Sequence, residues 1–326
     1  MMNPRDKQPI LIIGAPDEPH AAFVFEKLEA LGENPVYFDT RRFPTQMKLA
    51  FYPNSSKNTG GHLQVDSKSP SIPLSAVQSV YWRYHFGIEL SPSITDPFIR
   101  EMAFREIDSA IGALFRSLPC LWVNSAQAIE QHRYKGFQLK LLSEAGLRIP
   151  DTLISNDPEA VKAFYHRYNG SVIYKPVRGG AHTSPVKKDD IKPDRLKELS
   201  KSPVQFQEMI PGVDIRVYFI NGETFAAEIQ SQTLDFRDDP KAPIVPIELP
   251  ETVQAACVHV AEELGLVFSG IDLRRTPEQE YVFIEGNPSP MFLHFQEVTS
   301  YPIGARLIDL LRNPDRLKRS KPRVSV

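Results

Sequence analysis

The chain has 326 residues, of which 41% are hydrophobic and 24% are charged, a composition typical of globular proteins rather than disordered or fibrous ones. Its net charge of −2 creates no overall field that would attract nucleic acid or a membrane surface. Two cysteines, Cys120 and Cys257, are too few for a disulfide framework or a four-cysteine zinc site. The longest apolar run near the N-terminus, residues 10–13, is too short for a membrane span or a secretory signal. We therefore expect a cytoplasmic protein of two or three domains.

An N-terminal unit over residues 1–123 is predicted from alternating strand and helix patterns. A buried aliphatic strand at residues 9–14 is followed by an amphipathic helix and by a second strand at residues 35–39. This order is how a doubly wound α/β domain begins. A long helix is predicted over residues 95–118. Its apolar side is predicted to consist of Phe98, Met102, Ile107, Ile111 and Phe115.

Two further units and a basic tail are predicted over residues 124–203, 204–314 and 315–326. In the central unit, a helix beginning at Lys135 precedes an apolar strand at residues 171–176 and a glycine-rich loop at residues 178–184. In the third unit, Asn221-Gly222 is the strongest hairpin signal of the chain.

Two carboxylates and one amide predict a metal site near the C-terminus. If residues 271–276 and 281–286 form an antiparallel hairpin, the symmetric register places Asp272 opposite Glu285. Asn287 faces the same side as Glu285 if the strand continues that far. Hard oxygen ligands of this kind suit Mg²⁺, which keeps coordination positions open for substrate phosphates. The alternative is a pair of solvated carboxylates on a surface hairpin.

Lys175 and a nearby glycine pair, Gly179 and Gly180, indicate a phosphate site. Glycine lets backbone N–H groups approach phosphate oxygens, and a lysine at the end of an apolar strand supplies a point charge. Neither the dinucleotide-binding fingerprint nor the P-loop pattern is present, which excludes the two commonest phosphate motifs. Taken alone, Lys175 and Lys135 are equally well explained as surface lysines.

A third cluster lies around residues 208–216. The free backbone edge of a strand beside an apolar pocket can bind a flat heterocycle, and the acid that follows, Asp214, can bind ribose hydroxyls. Arg216 can neutralise a phosphate during transfer, and Arg237 and Arg274 are further cations near the predicted metal strand. Strand alternation and surface ion pairs explain the same residues without a ligand.

These clusters follow one another in a specific order. Lys135 comes first, then Lys175, the glycine-rich loop, and the motifs Gln-Glu-x-Ile, Asp-Ile-Arg, Gly-Ile-Asp and Glu-x-Asn-Pro. Over residues 124–311 this order resembles the ATP-grasp carboxylate–amine ligases. The whole chain resembles the microviridin or graspetide peptide macrocyclases of that superfamily, on residues 39–45, 80–83, 155–161 and 231–237. The glycine-rich loop and residues 288–291 also resemble the ribosomal-protein glutamate ligases.

The resemblance implies an ATP-grasp fold, α/β with an α+β C-terminal part, behind a doubly wound pre-ATP-grasp domain. It implies that ATP is bound by Lys135, Lys175, Gly179, Gly180, Glu208, Met209, Ile210 and Asp214. It implies that Mg²⁺ is held by Asp272, Glu285 and Asn287. It also implies that Arg216 and Arg237 stabilise charge while a carboxylate becomes an acylphosphate, ADP leaves, and an amine or hydroxyl displaces phosphate.

The substrate implied by the resemblance is a ribosomal precursor peptide whose side chains become joined by ester or amide bonds. A homodimer is implied in the same way. Two alternatives stay open: a ligase that adds an amino acid to a small molecule or a protein tail, and a nucleotide-binding module without catalysis. The complete set of three predicted metal ligands argues against the second alternative.

Overall fold

A computed structural model describes residues 7–53, 60–178 and 182–317. The helices are α1 (Pro19–Ala30), α2 (Pro97–Ser117), α3 (Ala126–Gln131), α4 (Lys135–Glu144), α5 (Pro158–Arg167), α6 (Pro193–Leu196), α7 (Glu251–Glu263), α8 (Leu293–Thr299) and α9 (Ile303–Arg312). The strands are β1 (Pro9–Ile13), β2 (Asn34–Phe38), β3 (Lys48–Tyr52), β4 (Gly60–Gln64), β5 (Ile72–Pro73), β6 (Ser79–Trp82), β7 (Leu121–Val123), β8 (Thr152–Ser155), β9 (Val172–Lys175), β10 (Ser184–Pro185), β11 (Val204–Glu208), β12 (Val213–Ile220), β13 (Glu223–Ile229), β14 (Ile244–Ile247), β15 (Phe268–Arg275) and β16 (Tyr281–Asn287). Within the described ranges, no helix has the length and apolar character needed to cross a membrane.

The N-terminal part is built on a parallel sheet with strand order β2-β1-β6-β7. All five residues of β1 are buried, as expected for a parallel strand covered on both faces. This confirms the predicted α/β opening. A small antiparallel sheet, β3-β4-β5, accompanies it and was not predicted.

The long helix α2 forms as predicted, but only half of its apolar side is buried. Ile111 and Phe115 lie in the core, whereas the side chain of Phe98 is 70% exposed and that of Met102 is 47% exposed. A helix of 21 residues is about 30 Å long, nearly twice the length of the four- and five-residue strands beside it. The first turns of α2 therefore extend beyond the sheet.

Two antiparallel sheets form the rest of the chain, with strand orders β10-β9-β11-β8 and β14-β13-β12-β15-β16. The third unit was predicted to begin at residue 204, but β11 pairs with β8 and β9 and therefore belongs to the central sheet. The chain passes between the sheets at residues 209–212. Gly212 makes this turn with φ +123°, and a Cβ there would meet the carbonyl oxygen of Arg275 at 2.0 Å.

The predicted Asn221-Gly222 hairpin is confirmed between β12 and β13. Ile220 pairs with Glu223, and both turn residues have positive φ, 47° for Asn221 and 88° for Gly222. These are the conditions for the two-residue turn that matches the twist of the strands. The turn fixes the register of β12, which carries Asp214 and Arg216.

Asn124, directly after β7, is a buried link between the N-terminal sheet and the C-terminal sheet. Its Oδ1 accepts hydrogen bonds from the backbone N–H groups of Val267 at 2.7 Å and Phe268 at 3.1 Å. Its Nδ2 donates to the carbonyl oxygens of Phe268 and Pro288, both at 2.6 Å. The side chain therefore satisfies four backbone groups in a place that water does not reach.

A second link is formed by Glu18, His20 and Arg83. Arg83, which is buried, donates from Nε to Glu18 at 2.9 Å and from Nη1 to the carbonyl oxygen of Ser289 at 2.7 Å. His20 Nε2 accepts from the N–H of Phe292 at 3.0 Å, so the ring proton lies on Nδ1 and donates to Glu18 at 3.1 Å. The N-terminal domain thereby holds the segment that follows β16.

We expect Asn124→Ala to lower the free energy of unfolding by about 3 kcal/mol or more, because each buried backbone group left without a partner costs about 1–3 kcal/mol. Ser125→Ala is the matched control. It removes only the helix cap that accepts from the N–H of Ala128 at 3.2 Å, and should cost about 1 kcal/mol. Urea denaturation measures both, and equal losses would contradict the linking role of Asn124.

We expect Glu18 to make stability depend on pH in the acid range. Burial by itself would raise the pKa of Glu18, but the hydrogen bond from His20 and the charge of Arg83 lower it from 4.5 to about 2. Glu18 therefore stabilises the fold fully above pH 4.5 and loses that contribution as the pH falls toward 2. In urea denaturation at several pH values, the stability difference between wild type and Glu18→Gln should shrink below pH 4.5. A constant difference would contradict this assignment.

Candidate active site

A cavity of about 720 Å³ is lined by residues of the central and C-terminal sheets. Every predicted site residue that the structure describes lies in its wall: Lys135, Lys175, Glu208, Met209, Ile210, Asp214, Arg216, Arg237, Asp272, Glu285 and Asn287. Gly179 and Gly180 lie outside the described residues. Residues that are separated by up to about 150 positions in the sequence therefore share one cavity.

The hairpin of β15 and β16 places Asp272 opposite Glu285 in the predicted register, which holds from this pair to Gly270 opposite Asn287, but the pairing on the loop side is shifted by one residue. On the loop side Leu273 pairs with Phe283, so Ile284 is an extra residue that forms a β-bulge. Without the bulge, Phe283 and Glu285 would face the same side. With it, Phe283 packs in the core while Glu285 faces the cavity. The strand continues to Asn287, as the metal-site prediction requires.

Each of the two opposed carboxylates is paired with a cation. Arg216 Nε lies 2.7 Å from Asp272 Oδ1, and Lys135 Nζ contacts Glu285 Oε2. Burial and the nearby negative charge of Glu285 raise the pKa of Asp272, against the lowering effect of Arg216. Burial also opposes ionisation of Glu285, but the charge of Lys135 and its hydrogen bond lower the pKa of that group. Further positive charge at this place would favour the ionised form of both groups.

Lys175 and Gln205 stand opposite each other on β9 and β11. Lys175 forms no ion pair with any residue of the described ranges, and burial lowers its pKa. Gln205 is 2% exposed, and its Oε1 has no hydrogen-bond partner within the part of the chain that the structure describes. The half-buried ammonium group of Lys175 is suited to an anionic ligand, and the buried acceptor of Gln205 is suited to a ligand group that donates a hydrogen bond. Gln205 was not predicted, although a polar residue at an inward position of an alternating strand is a usable signal.

The residues predicted to bind adenine and ribose are partly engaged within the protein. The N–H groups of Glu208 and Met209 donate to the carbonyl oxygens of Asp151 and Ser171 at 3.0 and 2.9 Å. Adenine recognition by this backbone would therefore use its carbonyl groups and the N–H of Ile210.

Asp214, the predicted ribose ligand, pairs in register with Arg274, whose Nη1 lies 2.9 Å from Oδ1. Burial raises the pKa of Asp214, against the hydrogen bond and charge of Arg274. Arg274, considered only as a further cation from the sequence, therefore neutralises the predicted ribose ligand.

Arg237 is oriented by Asp235, a residue for which the sequence predicted no role. Asp235 Oδ1 accepts from Arg237 Nε at 2.8 Å, and Oδ2 accepts from Nη2 at 2.5 Å and from the N–H of Thr183 at 3.0 Å. Burial alone would raise the pKa of Asp235, but these donors hold it far below its usual range. The ring centroid of Phe236 lies 5.5 Å from the guanidinium carbon of Arg216. Residues 235–237 thus help to place both predicted catalytic arginines.

Two further residues near the carboxylates were missed. These are Gln138, one helical turn after Lys135, and His132, three residues before it. The side chains of Gln138 and His132 both form hydrogen bonds with the backbone of Gly286. Burial lowers the pKa of His132 to about 4. For Gln138, the three-residue spacing from Lys135 on a helix was an available signal.

The donor set fits Mg²⁺. Asp272, Glu285 and Asn287 supply two carboxylates and one amide oxygen on one side of a strand pair, and Mg²⁺ accepts a few such ligands while keeping positions for water and phosphate. Among the described residues there is no group of three His, Cys, Asp or Glu side chains that could hold a metal.

Comparison with known proteins decides the family. Residues 132–311 match the RimK-like ATP-grasp domain, and residues 10–130 match the MvdD pre-ATP grasp domain. The chain belongs to the RimK-like ATP-grasp family. It is an ATP-grasp ligase with a pre-ATP-grasp domain, and ligases of this family use ATP and Mg²⁺.

Solved structures of similar fold include the macrocyclase MdnC bound with precursor peptide MdnA from Microcystis aeruginosa MRC. It has 30% identity and a TM-score of 0.80, and the match covers 93% of this chain and 98% of that one. The ATP-grasp ligase PsnB complexed with minimal precursor, Mg and ADP has 32% identity and a TM-score of 0.78, covering 95% and 98%. The alpha-aminoadipate–LysW ligase LysX of Sulfurisphaera tokodaii is 24% identical over 207 residues, 60% of this chain and 73% of LysX.

We expect Lys175→Ala to raise the KM for ATP about tenfold or more, because the half-buried ammonium group lines the cavity and forms no ion pair within the described residues, which leaves it able to bind phosphate. Lys162→Ala is the control, since that lysine pairs with Glu159 on the surface of α5. Steady-state kinetics with varied ATP measures the effect. A change confined to the KM of the second substrate would contradict the phosphate role.

We expect Asp272→Asn and Glu285→Gln to lower turnover at least a hundredfold while the protein stays folded, because each removes a charged oxygen ligand from the metal set. Glu280→Gln, at an exposed position just before the same hairpin's second strand, is the matched control and should leave turnover unchanged. ADP release and circular dichroism measure activity and folding. Wild-type turnover in either site variant would refute the metal assignment.

Proposed function

We propose that this ligase joins side chains within a ribosomally made precursor peptide. The supporting observation is the extent of the similarity: at 30–33% identity the chain matches peptide-modifying ATP-grasp enzymes over both domains, with 93–96% of its length covered. The similarity to LysX reaches 60% of the chain. An amino-terminal domain shared with macrocyclases favours a peptide substrate.

The cavity residues supply the binding groups for this reaction. Lys135 and Lys175 bind phosphate oxygens of ATP, and the backbone at residues 208–210 with the Gln205 amide faces the base. Asp272, Glu285 and Asn287 would hold Mg²⁺, which would supply positive charge to offset the charge of the nucleotide phosphates. Arg216 and Arg237 direct positive charge toward the phosphate that is transferred.

The reaction then has two steps. An oxygen of a substrate carboxylate attacks the γ-phosphorus, the bond to the bridging oxygen breaks, and ADP leaves, which gives an acylphosphate. A side-chain amine or hydroxyl of the same peptide attacks the acyl carbon, and inorganic phosphate leaves with the electron pair of the broken bond. The proton of the nucleophile passes to the departing phosphate or to solvent, and an amide or ester remains. Exclusion of water from the cavity protects the acylphosphate from hydrolysis.

A second candidate function is supported by LysX, whose name describes the ligation of alpha-aminoadipate to the protein LysW. On this alternative the chain activates a carboxylate by the same chemistry and adds a free amino acid to a protein tail or a small molecule. The two candidates differ in the acceptor, not in the ATP site.

Mass spectrometry separates the candidates. The protein is incubated with Mg-ATP and any short peptide encoded beside its gene, with Glu285→Gln as the inactive control. Loss of one water mass per linkage together with ADP release supports the macrocyclase. An unchanged peptide, with ADP formed only when free amino acids are added, supports the second candidate. ATP binding without ADP under either condition would contradict both.

The location and the oligomeric state of the protein stay predictions. We propose a cytoplasmic location, in keeping with free thiols at Cys120 and Cys257. The homodimer expected from the sequence is tested by light scattering during gel filtration.

A further inference from the structure

The two predicted metal ligands of β16 flank a residue that has no side chain. Gly286 lies between Glu285 and Asn287 on the last strand of the five-stranded sheet. A Cβ at Gly286 would meet Leu264 Cδ1 at 2.7 Å, so a side chain there would require Leu264 to move. Contacts to the backbone of Gly286 act directly on the strand segment that carries the two predicted ligands.

The side-chain amide of Gln138 forms hydrogen bonds with both the carbonyl oxygen and the N–H group of Gly286. Its Nε2 donates to the carbonyl oxygen of Gly286 at 3.0 Å, and its Oε1 accepts from the N–H of Gly286 at 3.0 Å. This is the hydrogen-bonding pattern that one more strand would make at the free edge of β16. The side chain is 3% exposed, so water does not compete for these bonds.

His132 makes a third connection to the same glycine. Its Nδ1 lies 3.1 Å from the carbonyl oxygen of Gly286, and a carbonyl only accepts, so Nδ1 carries the proton. The other nitrogen, Nε2, is then an acceptor, and it lies 3.4 Å from Lys135 Nζ. His132 therefore connects the metal strand to the lysine that contacts Glu285.

We propose that Gln138 and His132 are positioning residues that hold β16 and Lys135 in one fixed geometry around the Mg-nucleotide. The inference rests on the proposed function, because it takes Glu285 and Asn287 as metal ligands. Gln138 sets where the two ligands stand relative to α4. His132 sets where the Lys135 ammonium stands relative to the ligands. Neither residue touches the reacting atoms.

The first test is metal binding rather than turnover. Mn²⁺ replaces Mg²⁺ as the probe, and its free concentration is followed by electron paramagnetic resonance in the presence of saturating ADP. In Gln138→Met, which keeps the side-chain length and apolar packing, the dissociation constant for Mn²⁺ should rise about 10- to 100-fold, the usual effect of removing a group that orients a metal ligand. An unchanged constant would overturn the role of Gln138.

Gln131→Met is the matched control for this variant. Gln131 ends helix α3, lies beside His132 in sequence, and makes no side-chain hydrogen bond within the described ranges. It should bind Mn²⁺ as the wild type does. An equal loss in Gln131→Met would mean that Gln138→Met acts through packing of this region, and the positioning role would be rejected.

The second test separates the two connections of His132. In His132→Asn the amide stands where Nδ1 stood, so it can still donate to Gly286 but no longer reaches Lys135. In His132→Gln the amide stands where Nε2 stood, so it reaches Lys135 but not Gly286. We expect Mn²⁺ binding to weaken mainly in His132→Gln, and ADP binding in the absence of metal to weaken mainly in His132→Asn. Equal effects of the two variants on both measurements would overturn the proposal.

These outcomes are separable from a failure of the proposed function. If the wild-type protein with ADP does not bind Mn²⁺, the metal site itself is wrong. If the wild type binds Mn²⁺ and the Gln138 and His132 variants bind it equally well, the metal site is supported but the positioning role is rejected. The acceptor of the reaction does not enter either measurement.

Discussion

Asp272 and Glu285 face each other across neighbouring strands, and their negative charges repel. Cations from two parts of the chain offset this repulsion. At about 4 Å and an effective dielectric constant near 20, two like charges cost about 4 kcal/mol. Arg216 from β12 and Lys135 from α4 each neutralise one of the pair. One cation belongs to the C-terminal sheet and the other to the central part. The charge balance of the carboxylates therefore requires both parts to be assembled around the cavity.

The N-terminal domain takes part in the same arrangement, although it contributes no residue to the cavity wall described above. Asn124 binds the carbonyl of Pro288, immediately after the last predicted ligand, and Arg83 binds Ser289. Ser289 in turn donates its N–H to Asn287 Oδ1 at 2.9 Å. A continuous path of hydrogen bonds thus leads from Glu18 through Arg83 and Ser289 to Asn287, one of the predicted metal ligands, so the N-terminal domain helps to fix the position of that residue.

The sequence was informative wherever local rules decide the structure. Glycine after asparagine predicted the hairpin at residues 221–222, and strand alternation with a short loop placed Asp272 opposite Glu285. It was less informative where long-range packing decides. The membership of β11 in the central sheet depends on pairing with β8, about fifty residues earlier, and no local pattern records that choice.

The missed site residues have the same explanation. Gln138 and Asp235 act on groups that folding brings close, Gly286 across the domain boundary and Thr183 from the central part. A glutamine on a helix or an aspartate in a turn has no feature in the sequence that reveals such a partner. The residues predicted to bind metal and nucleotide could be found from sequence motifs. The residues that orient them could be found only from the contacts in the folded structure.

The β-bulge at Ile284 has a consequence for the lengths that the second strand can have. Within a regular strand, inserting or deleting one residue turns every later residue to the opposite face, which would turn Glu285 and Asn287 away from the cavity. Ile284 is the exception, because it is already the extra residue of the strand pair. Without it, Phe283 and Glu285 would be neighbours, and regular alternation would keep the first in the core and the second at the cavity.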